Sequence, residues 1–375
     1  AIGGGSASAG GCEHPAAEGA VGAGGVPGAE PMPLTTPRFW YASRCSWQAW
    51  LLRPCGWLYG LAVRLHRRSV RPRRCGVPVL SIGNLTLGGT GKTPLGIALA
   101  LGLAERGWRV AVLLRGYGGG RQESCLLTPA SRFEEVGDEA LEYGLALGDG
   151  AVWVGSNRCR SAERAVAAGA DLILLDDGLQ HWPLARDLDV SVLDGRHGLG
   201  NRLVFPAGPL REPISQLARA DVLVLTGSSP GASPAADQGM ACPAAWPAVK
   251  PWFSVRFCLE PPSQILGKRL LGFCGIGLPE KFFAALRACG LQVVATQSFP
   301  DHHIYADSDL QRLLDLAHAN GAHLVTTVKD GQRLPSRFRD AVSLVPLRVE
   351  PTSLEPLLTL LDRRLSVLVG LSPSG

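Results

Sequence analysis

A short apolar run, Val77–Ile82, leads into Gly88-Gly89-Thr90-Gly91-Lys92-Thr93, and an apolar stretch, Leu95–Arg106, follows until Gly107 stops it. No other feature narrows the fold as far. The run reads as a buried strand of a parallel sheet, and the stretch after the glycines as a helix. Glycines let a backbone curl until several N–H groups point at one anion, and the following helix adds the positive end of its dipole. Lys92 is placed to reach β- and γ-phosphates, and the Thr93 hydroxyl to ligate Mg2+. Thr86 stands where the strict motif has glycine. The strand–loop–helix context makes Thr86, Gly88, Gly89, Thr90, Gly91, Lys92 and Thr93 the nucleotide-binding candidates.

The same alternation continues. Arg109–Leu114, Asp171–Leu175, Val190–Leu193 and Asp221–Thr226 read as strands, with helical stretches such as Cys159–Ala168 between them. That rhythm predicts a parallel sheet covered on both faces. Residues 228–250, rich in Ser, Pro, Ala and Gly, read as a loop. A second α/β series follows: strands at Leu270–Gly275, Leu291–Ala295, His323–Thr327 and Val342–Pro346, a helix through Phe282, Phe283 and Leu286, and another over Asp309–Ala319 capped by Asp307 or Ser308. The expected fold class is α/β: a P-loop NTPase-like parallel sheet covered by helices, a second, smaller α/β domain, and an N-terminal amphipathic helix. The expected boundaries are a disordered low-complexity leader at 1–38, a basic membrane-interface segment at 39–75, a P-loop domain at 76–259, the smaller domain at 260–350, and a C-terminal helix and tail at 351–375.

The segment 39–75 stands apart. Trp40, Trp47, Trp50 and Trp57 lie among leucines and are followed by Arg64, Arg67, Arg68, Arg71, Arg73 and Arg74. Trp50, Trp57, Leu58, Leu61 and Leu65 fit helical spacing, with Pro54 as a break or a start. Two readings stand: a helix lying on a membrane surface, with Trp at headgroup depth and Arg on anionic lipid, or an amphipathic helix packed on the protein with a solvated basic face. No apolar run reaches the ~18 residues of a spanning helix. A net charge of +5 is too small to argue for nucleic acid. The ten Cys form no CxxC pair and no compact disulfide pattern, which points to a reducing compartment.

Acidic and polar clusters fall at the predicted strand ends. Leu172–Leu175 runs into Asp176 and Asp177, and carboxylates at the carboxyl end of a parallel strand sit where open α/β sheets bind ligands. One of the two is suited to hold Mg2+ or its water shell. Asp138 and Glu139 precede a helix, where acids serve as caps, as metal ligands or as a base for an acceptor hydroxyl. Arg115-Gly116-Tyr117-Gly118, Gly178-Leu179-Gln180-His181, and Phe205 to Pro213 with Arg211 and Glu212 are weak signals singly. Asp301-His302-His303 reads as a hydrogen-bonded pair or as a proton-transfer aid across a cleft. No NKxD sequence is present, which argues against a guanine-nucleotide switch.

In combination these segments resemble the tetraacyldisaccharide 4'-kinase family of lipid A biosynthesis. The matching stretches are VPVLSIGNLTLGGTGKTP, LLRGYGGG, VGDEALEYGLAL, the N-R-C-R at 157–160, DLILLDDGLQHWPLARDLDVSVLDG, GNRLVFPAGPLREP, FCGIGLPEKFFAALRACG and FPDHHIYADSDLQRL, in the family's order over residues 47–335. The resemblance implies an enzyme that uses ATP and Mg2+ to phosphorylate the 4'-hydroxyl of tetraacyldisaccharide 1-phosphate, as a peripheral protein at the cytoplasmic face of the bacterial inner membrane. It implies no nucleic acid and no protein partner. It implies Asp138 as the base with His302 against it, and Thr93, Glu139, Asp176 and Asp177 around Mg2+. Arg115, Tyr117, Arg158, Gln180, His181, Arg211 and Glu212 become candidates for substrate or nucleotide phosphates. Another P-loop small-molecule kinase, or a catalytically weak nucleotide-binding membrane protein, is the alternative. Two features depart from the family: Thr327-Val328-Lys329-Asp330-Gly331 replaces its T-E-K-D-A, and the Gly/Ala-rich leader has no counterpart.

Overall fold

The computed structural model describes residues 37–41, 46–120, 123–195, 197–227 and 242–370. Nearly all of the expected leader, most of the 228–250 loop and the last five residues lie outside the described residues. The described residues belong to one compact unit that starts at Thr35.

The first helix is α1 (Trp47–Ser69). The larger sheet and its helices follow as β1 (Val79–Gly83), α2 (Lys92–Glu105), β2 (Val110–Leu114), β3 (Cys125–Leu126), α3 (Phe133–Val136), α4 (Asp138–Leu147), β4 (Val152–Val154), α5 (Arg158–Ala167), β5 (Leu172–Asp176), β6 (Leu188–Asp194), β7 (Val222–Thr226) and β8 (Trp252–Val255). The strand order is β3-β4-β2-β5-β1-β6-β7-β8, parallel throughout except where β3 meets β4. Strands β1, β5 and β7 are buried at every residue, as unbroken apolar runs require when helices cover both faces. Strand β1 lies between β5 and β6, and its register sets Ile82 beside Asp176. Strands β2 to β5 lie on one side of β1 and β6 to β8 on the other, so the order of connection reverses there and the loop after β1 opens on the crevice where such sheets bind ligands.

The smaller sheet is built from β10 to β13. The chain runs β9 (Phe257–Leu259), β10 (Arg269–Cys274), α6 (Pro279–Ala288), β11 (Gln292–Ser298), α7 (Asp307–Ala319), β12 (His323–Thr327), α8 (Val328–Gly331), α9 (Ser336–Arg339), β13 (Val342–Val345), β14 (Leu347–Val349) and α10 (Pro351–Leu368). Its order is β11-β10-β12-β13, all parallel. Helix α6 covers one face with Phe282, Phe283 and Leu286, and α7 covers the other with Leu310, Leu313 and Ala317. The two chain crossings between the sheets pair with each other as β9 and β14. Phe257 and Val349 on that ribbon pack in the larger sheet's core, while Leu259 packs in the smaller one's.

Several local expectations change. Helix α2 begins at Lys92, not Leu95, with Gly91 as its N-cap, so the phosphate loop runs straight into the first helical turn. Helix α7 begins at Asp307, with Ala306 as the N-cap rather than Asp307 or Ser308. The cap is supplied from inside the helix, where Asp309 Oδ2 accepts the Ala306 N–H at 3.1 Å. Helix α10 is no appendage: Leu354, Leu357, Leu358, Leu361 and Leu365 form one stripe buried in the larger sheet's core.

Pro54 neither breaks nor starts α1 but lies inside it. Proline removes one backbone bond there, yet buried small residues on both sides of it, Ala49 before and Gly56 and Gly60 after, hold the two halves on one surface. A Cβ at Gly56 would stand 2.8 Å from the Val204 carbonyl oxygen, so only glycine allows this approach. The helix therefore docks through its small face. Its apolar face points away, with Trp47, Trp50, Trp57 and Leu58 each about 70% exposed (72, 69, 71 and 69%). The six arginines from Arg64 to Arg74 are exposed as well. Among the described residues no helix is long and apolar enough to cross a membrane.

Candidate active site

The phosphate loop is braced from beneath. Asn84, fully buried at the end of β1, donates to the Thr86 carbonyl at 2.7 Å and to Thr90 Oγ1 at 3.2 Å. Its own Oδ1 accepts from Lys92 Nζ at 3.0 Å. Thr226 Oγ1 at the end of β7 donates to the Thr90 carbonyl at 2.7 Å. The outer edge of the loop is strapped to the segment around Arg211: Leu87 N–H donates to the Pro209 carbonyl at 2.7 Å and Arg211 N–H to the Leu85 carbonyl at 2.8 Å. Thr86 and Thr90 are buried, while Gly88 and Gly89 are exposed along the loop and Gly91, Lys92 and Thr93 are half-buried.

The acid pair after β5 divides. Asp176 is buried, and burial together with the nearby Glu139 charge pushes its carboxyl up, with Lys92 opposing. Asp177 sits at φ 48°, a left-handed conformation that non-glycine residues seldom adopt outside functional turns. Burial alone would raise its carboxyl, but Lys92 and Arg211 bring it down to about 2. Arg211 Nη1 lies 2.9 Å from Asp177 Oδ2, and Lys92 Nζ lies 3.4 Å from Oδ1.

The remaining polar candidates separate into those that face the crevice and those that hold its walls. Arg158 is buried on α5 and donates to the carbonyls of Asp176 at 2.6 Å and Asp177 at 3.3 Å. Gln180 donates to the Asn84 carbonyl at 3.2 Å and to Glu212 Oε1 at 3.0 Å. Glu212 is 1% exposed and also receives Arg219 at 3.1 Å, so it sits under the loop rather than at its mouth. Burial, with Arg158, Arg186 and Arg115 nearby, brings His181 down to about 4, so it is neutral at pH 7. Arg115 and Tyr117 are exposed.

Asp138 opens α4 and is 2% exposed. Gly137 before it has φ 82°, and a Cβ there would fall 2.2 Å from the Tyr117 carbonyl oxygen, so only glycine can bring the two loops together. Asp138 Oδ1 accepts the Glu139 N–H at 2.9 Å. Oδ2 faces His302 Nδ1 at 3.3 Å, Lys329 Nζ at 3.6 Å and the Arg333 guanidinium. Burial would raise this carboxyl, but the His302 hydrogen bond and the charges of Lys329 and Arg333 hold it well below the usual carboxylate range. The Tyr117 ring lies 6.0 Å from that of His302. The neighbouring His303 does something else: it stacks on Phe299 and meets Asp309 at 2.9 Å.

Asn84 and Arg333 are the polar groups that sequence reading missed. Asn84 follows an apolar run and resembles a turn residue, and Arg333 belongs to none of the motifs. The Lys329-Asp330 pair signals that region, since Asp330 is fully buried and receives the Gly275 N–H and the Tyr305 hydroxyl, each at 2.9 Å.

Among the described residues no three His, Cys, Asp or Glu side chains converge to hold a metal ion alone. A phosphate-loop magnesium needs less, because nucleotide oxygens complete its shell. Asp176, whose charge Glu139 crowds, and Thr93 in the first turn of α2 are oxygen donors of the kind such an ion takes.

A parallel α/β sheet with its phosphate loop at the switch strand, and an acid pair at the end of the adjoining strand, defines a P-loop nucleotide-binding protein. The LpxK family model, tetraacyldisaccharide-1-P 4'-kinase, matches residues 48–366, and the chain belongs to that family. A tetraacyldisaccharide 4'-kinase of Parvibaculum lavamentivorans is 42% identical over 306 residues, 80% of this chain and 87% of that one. The corresponding kinase of Rhodospirillum rubrum is 40% identical over 350 residues, 91% of this chain and 100% of that one. The crystal structure of LpxK from Aquifex aeolicus, in complex with ATP, is 28% identical with a TM-score of 0.66, covering 84% of this chain and 99% of that one.

Proposed function

We propose that this chain transfers the γ-phosphoryl group of ATP to the 4'-hydroxyl of tetraacyldisaccharide 1-phosphate, giving ADP and the lipid IV-A precursor of lipid A. The observation that carries the reading is the family match across 48–366, a span that contains the phosphate loop, Asp138 and His302. Backbone N–H groups of Gly88 to Gly91 and the Lys92 ammonium would cradle the nucleotide phosphates. Thr93 and Asp176, with Glu139 and Asp177 beside them, would hold Mg2+, which supplies charge neutralisation on the β- and γ-phosphates when bound.

On the acceptor side, the Asp138 carboxylate takes the hydroxyl proton as the sugar oxygen bonds to the γ-phosphorus and the bridging P–O bond to ADP breaks. A carboxylate held this low is a weak base, which suits a loose transition state that needs the hydroxyl oriented before it needs the proton removed. His302 steadies the carboxylate and can pass the proton onward. Transfer is in line, so a chiral γ-phosphate leaves with inverted configuration.

The enzyme works as a peripheral protein at the cytoplasmic face of a bacterial inner membrane. The outward Trp and Leu face of α1 and its run of exposed arginines support this, since the lipid acceptor must be met at a bilayer surface. The deciding assay uses γ-labelled ATP, Mg2+, detergent and tetraacyldisaccharide 1-phosphate, with Lys92→Ala as control. Label on the lipid with the wild type alone supports the reading; ATP hydrolysis without labelled lipid points to a different acceptor.

A further inference from the structure

The Arg333 side chain has no exposed surface and makes four hydrogen bonds to three acceptors. Its Nε donates to Asp138 Oδ2 at 3.2 Å, and its Nη2 reaches the same oxygen. Its Nη1 donates to the Gly275 carbonyl at 3.1 Å and to Asp330 Oδ1 at 3.2 Å. The Gly275 carbonyl also accepts the backbone N–H of His302 at 3.1 Å. One guanidinium thus grips Asp138 directly and, through a single carbonyl, the backbone of His302.

The two ends of this link belong to different sheets. Asp138 starts a helix of the larger sheet, while Gly275, His302, Asp330 and Arg333 belong to loops and a short helix of the smaller one. Asp330 fixes the Arg333 side of the link: its Oδ1 also takes the Gly275 N–H and the Tyr305 hydroxyl, and its Oδ2 takes the Thr327 hydroxyl at 2.7 Å. His302 is held at φ 59°, a conformation a non-glycine residue keeps only when its surroundings impose it. A planar fork of five donors can meet three acceptors in fixed directions, and an ammonium group cannot.

We infer that Arg333 is a positioning residue, setting the distance and angle between Asp138 and His302 when the smaller sheet closes on the larger. This rests on the reading of those two residues as the acceptor-side pair. Asp138 meets Arg333 directly, and His302 is tied to it through the Gly275 carbonyl. Arg333 acts through the pair, its own side chain being fully enclosed by protein.

The test is a double-mutant cycle in the lipid-phosphorylation assay, with wild type, Arg333→Lys, His302→Ala and the double variant. Arg333→Lys is expected to lower kcat on the order of 10²-fold while the KM for ATP stays unchanged. In the His302→Ala background the same change is expected to cost little more, because the geometry it serves is already gone. A residue that only holds the fold would lower both backgrounds equally, so additive losses overturn the inference, as does an unchanged kcat in Arg333→Lys. If Arg333→Lys does not unfold cooperatively, Arg333→Gln replaces it in the same cycle. Absence of labelled lipid with the wild type overturns the functional reading and this inference with it; labelled lipid with additive losses overturns the inference alone.

Discussion

Lys92 Nζ donates to Asn84 Oδ1 at 3.0 Å and stands 3.4 Å from Asp177 Oδ1, so the loop's lysine is held in place from below and from the side. Asn84 is the keystone, since its amide also fixes Thr86 and Thr90. Asn84→Ala leaves buried donors and acceptors without partners, at a cost of about 1–3 kcal/mol of stability. It is expected to weaken ATP binding without abolishing turnover, whereas Lys92→Ala abolishes transfer. Isothermal titration with ATP and thermal unfolding check both; unchanged ATP affinity in Asn84→Ala would show that the loop keeps its shape unaided.

Asp138→Asn keeps the size of the side chain and removes its charge. Turnover is expected to fall by roughly 10²–10⁴-fold, the range for losing a positioned proton acceptor, with ATP affinity little changed. Asp138→Ala should also destabilise the protein by about 1–3 kcal/mol, because it strips the buried Arg333 donors of one acceptor while Asp330 still pairs the charge. Steady-state kinetics and calorimetry separate the two effects. Turnover that survives Asp138→Asn would reduce Asp138 to a helix-start acid.

The sequence carried more of the phosphate side than of the acceptor side. Gly88 to Thr93 could be read because a loop between a strand and a helix has one known use, and Asp176 because a strand's apolar run ends on it. The role of α10 was illegible, since its leucine stripe fits any surface, and only the fold shows that it closes the larger core. The orientation of α1 was equally hidden. Its Trp and Leu residues mark an apolar face that a membrane or the protein could cover, and docking through Ala49, Gly56 and Gly60 turns that face away from the protein. Arg333 was illegible for a different reason: a single arginine carries no pattern, and its meaning comes from Asp138, 195 positions away.

His181 makes acid stability measurable. Its folded value is about 4 against an ordinary 6.5, with burial the main cause and three arginines adding to it. Between those values the unfolded chain binds a proton that the folded protein excludes, so the His181 contribution to stability rises with pH across this window and is lost as pH falls from 6.5 towards 4, while the raised Asp176 carboxyl acts in the opposite sense. Its buried Nε2 has no hydrogen-bond partner among the described residues, so His181→Leu forfeits no bond to them there. The variant is expected to show a slope of unfolding free energy against pH that is less positive than that of the wild type over pH 4 to 6.5, followed by urea titration at several pH values. An identical slope would assign the acid sensitivity to other groups.

The two faces of α1 can be tested against each other. Replacing Trp50, Trp57 and Leu58 with serine removes side chains that are each about 70% exposed (69, 71 and 69%), so the thermal midpoint is expected to hold. Binding to vesicles of anionic and zwitterionic phospholipid should drop by roughly tenfold per residue, because each side chain gains about 1.5–3 kcal/mol on leaving water. Gly56→Leu should do the reverse. Its side chain meets the Val204 carbonyl, so it loosens the docking of the helix and lowers the thermal midpoint while the outward Trp and Leu residues remain. Vesicle flotation, repeated at high salt to weaken the contribution of Arg64, Arg68 and Arg71, reads both variants. If the serine variant floats as well as the wild type, the outward face of α1 is not what holds the enzyme at a bilayer.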